Sequence, residues 1–529
     1  MDTLTEDDRD RLTRGLDQLR SENWENAWFE FQGISQPCNP LVQINLAFIE
    51  EKRGHPIQAH EHYQQALSLA PQSTEVRFNW ANFLARHHGQ HEARDQYLAC
   101  LTLDPSHLGA WVNLGVGLVE SFHLSAARTT FQAALALDPN HLGALLNLAQ
   151  VALHQQENQE AAMLFRQLLV IDPNQIEAHR GLATALSRCG DENAANSHRD
   201  LAYQDHPLLE FPSIQTTTHR LLILASAHDG NVPWQNLIDR NHASTQVIAL
   251  EYFPKHQPLP AHDMLFNAVG DADRCPQALR EAQRLWPQQG PRRNDPHRIS
   301  PTTRIQLPST LAQIPHLRIA RCELWTRPVH DSVIAAQVFH HWMKQQGWDF
   351  PLLLRTPGFH GGQFFEKVNH DHELPSVLQR LPGGVLLVSE LLPTRSSDQC
   401  YRKYRIMSLG GNLYPLHLAI SHQWKVHYFS AEMASHAEYR HEEATFLNKF
   451  DEYLPPQALA ALYHVQQRLG LDYAGMDFSL DCDGQVILFE ANATMVIAPP
   501  PEDPNWNYRR PAYEHAHQQA KSLLAPLTY

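Results

Sequence analysis

Two carboxylates and a carboxamide stand close together late in the chain: Asp477, Glu490 and Asn492, in the segment DYAGMDFSLDCDGQVILFEANATM. Alternation from Tyr473 to Leu480 predicts a strand, Asp481-Cys482-Asp483-Gly484 a tight turn, and the apolar run from Gln485 to Ala491 a second strand. Such a hairpin folds Asp477 back alongside Glu490. Glu490 and Asn492 are two apart, so both side chains leave one face of their strand. Hard oxygen ligands on adjacent strands suit Mg²⁺ holding nucleotide phosphates. The competing reading is a surface hairpin with scattered acids.

Basic and glycine-rich segments precede this hairpin. In FPLLLRTPGFHGGQFFEKV an apolar strand ends at Arg355, a loop carries Gly358, Gly361 and Gly362, and a second strand follows. Glycines there let backbone N–H groups approach a phosphate. GVLLVSELLP is a buried strand running into a linker at Glu390, Leu391 and Leu392. Next come CYRKYRIMSLGG and NLYPLHLAI, a strand pair joined by Gly410-Gly411-Asn412. Alternation puts Lys403 and Arg405 on one face, where paired positive charge would stabilise a transferring phosphoryl group; a solvated edge strand is the alternative. Lys425, in SHQWKVHYF, is a weaker candidate of the same kind.

In these motifs the region from about residue 218 to 529 resembles an ATP-grasp domain. The resemblance implies an α/β plus α+β fold: a preceding α/β domain over 218–310, then an ATP-grasp domain over 311–529. Its ATP lobe would span about 316–390 and its metal-binding lobe about 391–529. It further implies Asp477, Glu490 and Asn492 as Mg²⁺ ligands. Arg355 takes the place of the usual Lys, and Gly358, Gly361 and Gly362 close over ATP. Glu390 to Leu392 form the adenine hinge, with Lys403 and Lys425 near phosphate and Arg405 at the family's usual Arg position. Arg304, in a Pro- and Arg-rich stretch without a period, is a poor match to the first basic phosphate ligand. The implied activity is ADP-forming carboxylate–amine ligation through an acylphosphate. The chain departs from the best-known ligases of the family at Ala493-Thr494-Met495 and in the tail APPPEDPNWNYRRP.

Upstream, HRLLILASAHDGNVPWQNLID, TQVIALEYF and DMLFNAVGDAD supply apolar strands separated by turns, which predicts a small α/β layer with a parallel sheet. Ligands gather at the carboxyl ends of such strands, so Asp229, Asn231, Asn267 and Asp271 face a candidate substrate cleft. Each one individually is more a turn-former than a ligand, since Asn and Asp are favoured in turns.

The first two fifths follow another rule. Pro37, Pro71, Pro105, Pro139, Pro173 and Pro207 recur every 34 residues, the period of tetratricopeptide repeats. Trp111, Leu114, Gly115, Ala127, Phe131, Ala134 and Pro139 fit the repeat's anchor, small-residue and terminator positions, and Leu148, Ala149, Ala161, Phe165 and Pro173 repeat the pattern. This predicts an all-α superhelix over 5–209 of about six units. The first, with Trp24 and Phe29 off register, and the last, with Arg199 at the aromatic position, are expected caps. Asn113, Asn147 and His179 would project from first helices, either toward a peptide or protein partner or as ordinary solvated helix positions. A homodimer interface is a second use for the array.

The chain is therefore expected to be multidomain. A length of 529 residues, 43% of them hydrophobic, allows several cores. The acidic opening MDTLTEDDRDRL and the absence of a long apolar run predict neither signal nor membrane span, with cytoplasm as the default. Seven scattered cysteines without a CxxC pair argue against structural zinc and disulfides. A formal charge of −15 disfavours nucleic acid. The histidine groups at His340-His341, His370/His372 and His436/His441 lack the spacing of zinc motifs. Three functions remain: a ligase whose repeats capture or position a peptide or amino-acid substrate, an adaptor with a degenerate nucleotide module, and a kinase of the same fold.

Overall fold

A computed structural model describes residues 5–35, 39–213, 217, 219–239, 242–329, 331–358, 362–426, 431–501 and 503–525. Pro37, Cys38, Gly361 and the expected boundary at 218 lie outside the described residues. The chain divides into a helical unit, Met1–Ala202, and a mixed unit, Tyr203–Tyr529.

The helical unit is a run of antiparallel helix pairs, from Glu6–Arg20 with Trp24–Gln32 to Ile176–Arg188 with Glu192–Tyr203. Its packing repeats every 34 residues because each pair presents the same small and large side chains to the same neighbours. Ala59, Ala93, Ala127, Ala161 and Ala195 are all fully buried where two helices cross. Tyr63, Tyr97, Phe131 and Phe165 fill the gap beside them. In the last pair Arg199 takes that place, 2% exposed, with its guanidinium bonded to Glu192 at 2.7 Å and Asn196 at 2.6 Å. In the first pair the packed aromatic is Phe31, against Gly15, whereas Phe29 is exposed.

Close approach is strict at Gly115, where a Cβ would stand 2.5 Å from Phe131 Cε1, and at Gly181, where one would stand 2.1 Å from Phe165 Cζ. Gly115→Ala is expected to destabilise the unit by about 1–3 kcal/mol, since overpacking outweighs the better helix propensity of Ala. At Gly117 the obstructing atom is the far end of Gln90, so Gly117→Ala should be near neutral. Urea denaturation of the two variants checks the contrast.

The expected end of the helical array at 209 falls inside strand β1 (Leu208–Phe211), which belongs to the mixed unit. It pairs antiparallel with β3 (Ser244–Ala249) at the edge of a sheet whose other strands, β2 (Arg220–Ala225), β4 (Met264–Asn267) and β5 (Arg292–Arg293), are parallel, in the order β1-β3-β2-β4-β5. A second sheet is antiparallel, in the order β7-β10-β8-β9, from β7 (Cys322–Thr326), β8 (Leu352–Arg355), β9 (Phe365–Val368) and β10 (Val385–Glu390). Helices Ser332–Gln345 and Leu374–Arg380 belong to its core, with Phe339, Leu354, Leu378 and Leu386 fully buried. The third sheet runs β12-β11-β13-β14-β6. It comprises β11 (Tyr401–Leu409), β12 (Asn412–Ser421), β13 (Tyr473–Leu480), β14 (Val486–Asn492) and β6 (Leu317–Ile319). β6 thus pairs with the 473–492 hairpin, in parallel with β14, rather than with the strands that follow it in sequence. The first and third sheets share one continuous core.

Candidate functional site

The turns that build the site are sterically specified. Gly410 and Gly411, at φ 57° and 93°, join β11 to β12. Gly484, at φ 73°, closes the β13–β14 turn, in which Asp481 N donates to Gln485 O at 3.0 Å. The resulting register places Arg405 opposite Asp477, and Asp477 opposite Glu490. Both flanking pairings are irregular at this level. The β11–β12 register shifts between Arg405 and Ile406, and the β13–β14 register shifts between Asp477 and Phe478, leaving Phe489 as the extra residue. Bulges bend strands and re-aim side chains; here they bracket the residues with chemical potential.

Asp477 is 1% exposed and enclosed by cations. Arg405 donates to both its oxygens at 2.6 and 2.8 Å, and Lys403 Nζ lies 2.6 Å away. Burial opposes ionisation, but Lys403 and Arg405 overcome it and hold the carboxyl well below the usual carboxylate range. Glu490 receives Arg304 Nη2 and Asn492 Nδ2, each at 2.7 Å from the same oxygen. Its carboxyl is again lowered against burial, chiefly by Arg304. Arg355, at the end of β8, is pushed down to about 10 by burial and then by Arg304. Asn492 Oδ1 accepts from Thr494 N at 2.9 Å and Thr494 Oγ1 at 3.0 Å. Two carboxylates, one carboxamide oxygen and four cationic side chains therefore form one electrostatic group. The oxygens are hard donors that fit Mg²⁺, and the cations fit a polyphosphate.

Strands β8 and β9 form a hairpin in which Arg355 faces Phe365. Gly358 and Gly362, at φ 87° and 77°, lie in its loop. A Cβ on Gly362 would meet Lys425 Cε at 2.6 Å, and Lys425 Nζ donates to Phe365 O at 3.2 Å. Gly362 is therefore the glycine that lets Lys425 lie against the loop. Glu390 ends β10, its N–H donating to Arg321 O at 3.0 Å and its carboxylate 3.6 Å from Arg318 Nη2; Leu392 after it is buried.

Several expected residues have other duties. Asn267 is fully buried and bonds Val269 and Asn294, while Asn231 bonds the backbone of Ser226 and His228. Both hold loops and neither faces a cleft, because their amides satisfy backbone groups that the strand ends leave unpaired. Asp271 Oδ1 accepts the N–H groups of Asp273 and Arg274. The β4 loop nevertheless reaches the site, since a Cβ on Gly270 would stand 2.9 Å from the Ala493 carbonyl carbon.

Arg304, matched only poorly by sequence, contacts Glu490 directly. Asp273, which accepts Arg304 N at 3.2 Å, and Phe489, 42% exposed beside Glu490, were not singled out by sequence.

In the helical unit His179 does not project. It is 8% exposed, with its ring held between the Pro173 carbonyl at 3.0 Å and His198 at 2.8 Å. Asn113 and Asn147 are half-buried, and the same position carries Asn45 and Asn79, at intervals of 34. Asn45, Asn79 and Asn147 each donate to the carbonyl four residues earlier, and Asn113 donates to Asn82 Oδ1 at 2.8 Å. No described helix is long and apolar enough to cross a membrane.

No curated protein matches the chain. Solved structures similar to it include PilF of Pseudomonas aeruginosa, at 20% identity over 38% of this chain and 93% of that one, TM-score 0.36. Another is PilW, a type IV pilus biogenesis factor, at 20% identity over 38% and 94%, TM-score 0.35. A third is YrrB, a tetratricopeptide-repeat protein with an unusual peptide-binding site, at 19% identity over 33% and 89%, TM-score 0.30. Residues 113–176 match the tetratricopeptide-repeat family model. With the 34-residue packing period around them, this makes the N-terminal unit a tetratricopeptide-repeat domain.

Proposed function

We propose that the mixed unit is an ATP-grasp ligase that uses ATP and Mg²⁺ to join a carboxylate to an amine. The observation that carries this reading is the meeting of Arg405, Asp477 and Glu490 on three adjacent strands, with Arg304, Lys403 and Asn492 in contact. Mg²⁺, when bound, would supply charge neutralisation between the phosphates. Asp477, Glu490 and Asn492 would hold it. Arg355, Lys403, Arg405 and Arg304 offer countercharge to a triphosphate and to the charge that develops as the γ-phosphoryl group passes to the substrate carboxylate. The amine then displaces phosphate from the acylphosphate, so no protein nucleophile is needed. Glu390 to Leu392 and the exposed ring of Phe489 offer backbone groups and an apolar face for the base.

The tetratricopeptide repeats give the first unit an interaction role, and we assign it the capture of a peptide substrate or a protein partner. First helices line the inner face of such arrays. The recurring amides of Asn45, Asn79, Asn113 and Asn147 suit the main chain of an extended segment.

Thermal unfolding with and without MgATP tests the nucleotide site. At about 100 times its dissociation constant the ligand should stabilise the mixed unit by roughly 2.7 kcal/mol. Turnover against pooled amino acids and peptides should release ADP, phosphate and a new amide. No shift in a folded preparation would favour the adaptor role, and phosphate retained on the acceptor would make the enzyme a kinase.

A further inference from the structure

We infer that the site excludes free divalent cations and takes the metal only together with the nucleotide, the polyphosphate being what uncovers the metal ligands; this rests on the ATP-grasp reading above. The ligand set offers five oxygens, and four already have partners. Asp477 Oδ1 is held by Arg405 at 2.6 Å, and Oδ2 by Arg405 at 2.8 Å and Lys403 at 2.6 Å. Glu490 Oε1 accepts from Arg304 and Asn492, and Asn492 Oδ1 accepts from Thr494 N and Oγ1. A free cation would have to displace ammonium and guanidinium groups from two carboxylates, that of Asp477 only 1% exposed, while being repelled by them. That repulsion is strong where water is scarce. A triphosphate reverses the balance. It offers Lys403, Arg405 and Arg304 an anion of higher charge, so they can turn from the carboxylates to the phosphates. The released oxygens then meet the cation that arrives with the phosphates. Asp271 and Asp273 add negative charge near Arg304, but neither contacts the cations on Asp477.

The three cations are thus selectivity elements as well as phosphate contacts, which gives substitutions an unusual sign. Lys403→Met should tighten the binding of free metal while weakening that of nucleotide. A residue that merely supports the fold would weaken both.

Mn²⁺ binding to the full chain, followed by electron paramagnetic resonance, tests this with no turnover. In the wild-type protein the Mn²⁺ dissociation constant should fall at least about tenfold when a non-hydrolysable ATP analogue is saturating. In Lys403→Met the constant without nucleotide should fall by at least about threefold. Arg304→Met provides the same test from the Glu490 side if Lys403→Met does not fold. Equal Mn²⁺ affinity with and without analogue, or weaker free-metal binding in both variants, overturns the inference and leaves the nucleotide site standing. Binding of neither Mn²⁺ nor analogue to the wild-type protein overturns the ATP-grasp reading itself.

Discussion

Glu490→Ala is expected to lower kcat for ADP release at least about a hundredfold while leaving the fold intact. Positioned electrostatic groups at reacting centres commonly contribute about 10²–10³ in rate. Glu490 sits at a bulge, half-buried, with its carboxylate on Arg304 and Asn492. Its loss removes an oxygen donor and frees Arg304 from its partner. The cost to stability stays modest because the side chain keeps some access to water. Asp483→Ala is the matched control. Asp483 lies in the exposed turn of the same hairpin, where its N–H donates to Asp481 and its carbonyl accepts from Gln457, so only backbone groups are engaged. Alanine there should retain nearly full activity. Steady-state ADP release, with circular dichroism to confirm folding, separates the two. Comparable activities would mean that the hairpin is not the metal site.

The repeats were legible because their constraint is periodic. A helix crossing that admits only Ala or Gly, beside a gap that requires an aromatic ring, leaves the same residues every 34 positions. The hairpin 473–492 is legible for a related reason, since alternation and a Gly turn fix both its strands and the register next to the turn, from Leu480–Val486 to Phe478–Leu488. Bulges leave no such mark. Phe489 follows the apolar run of its strand like any other residue, and only pairing with β13 reveals it as the extra one.

Arg304 shows a different limit. The chain from 287 to 315 has no hydrophobic period, because short helical turns such as Pro296–Ile299 and Leu307–Thr310 position it in place of one amphipathic element. Charge pairing across 186 residues, Arg304 to Glu490, then sets its role. Asn231 and Asn267 take the turn-forming role that the sequence favours for them, and His179 is packed instead of projecting. Their polarity suggested ligands, but buried backbone groups and a neighbouring imidazole claimed them first. Polar residues at strand ends must satisfy the unpaired backbone before they can serve chemistry.

The largest stability effect is expected behind the site. Glu443, on the helix Ala437–Asn448, is fully buried among residues from two distant segments. Arg509 Nη2 and the Tyr508 hydroxyl both donate to its Oε2, and the Leu418 N–H of β12 donates to Oε1 at 3.2 Å. Arg509 also stacks over Trp506 at 4.2 Å. Burial pushes the carboxyl up, the Tyr508 and Leu418 donors oppose that, and the guanidinium of Arg509 makes the position tenable as an ion pair. Leu418 follows His417, which faces Arg405 across the β11–β12 pair, so this group fixes the strand that backs the candidate site. Glu443→Ala leaves the Arg509 guanidinium, the Tyr508 hydroxyl and the Leu418 N–H facing an apolar void. Removing one partner of a buried pair costs about 3–5 kcal/mol, and that loss should lower the urea midpoint of the mixed unit and reduce nucleotide binding with it. Glu443→Gln keeps the volume and an acceptor and should lose less. Replacing both residues, as Glu443→Leu with Arg509→Leu, should recover much of the stability, because the uncompensated charge is then gone. If the double variant were as unstable as the sum of the single variants, the pair would not be the source of the effect, and packing of residues 504–509 alone would hold the strand.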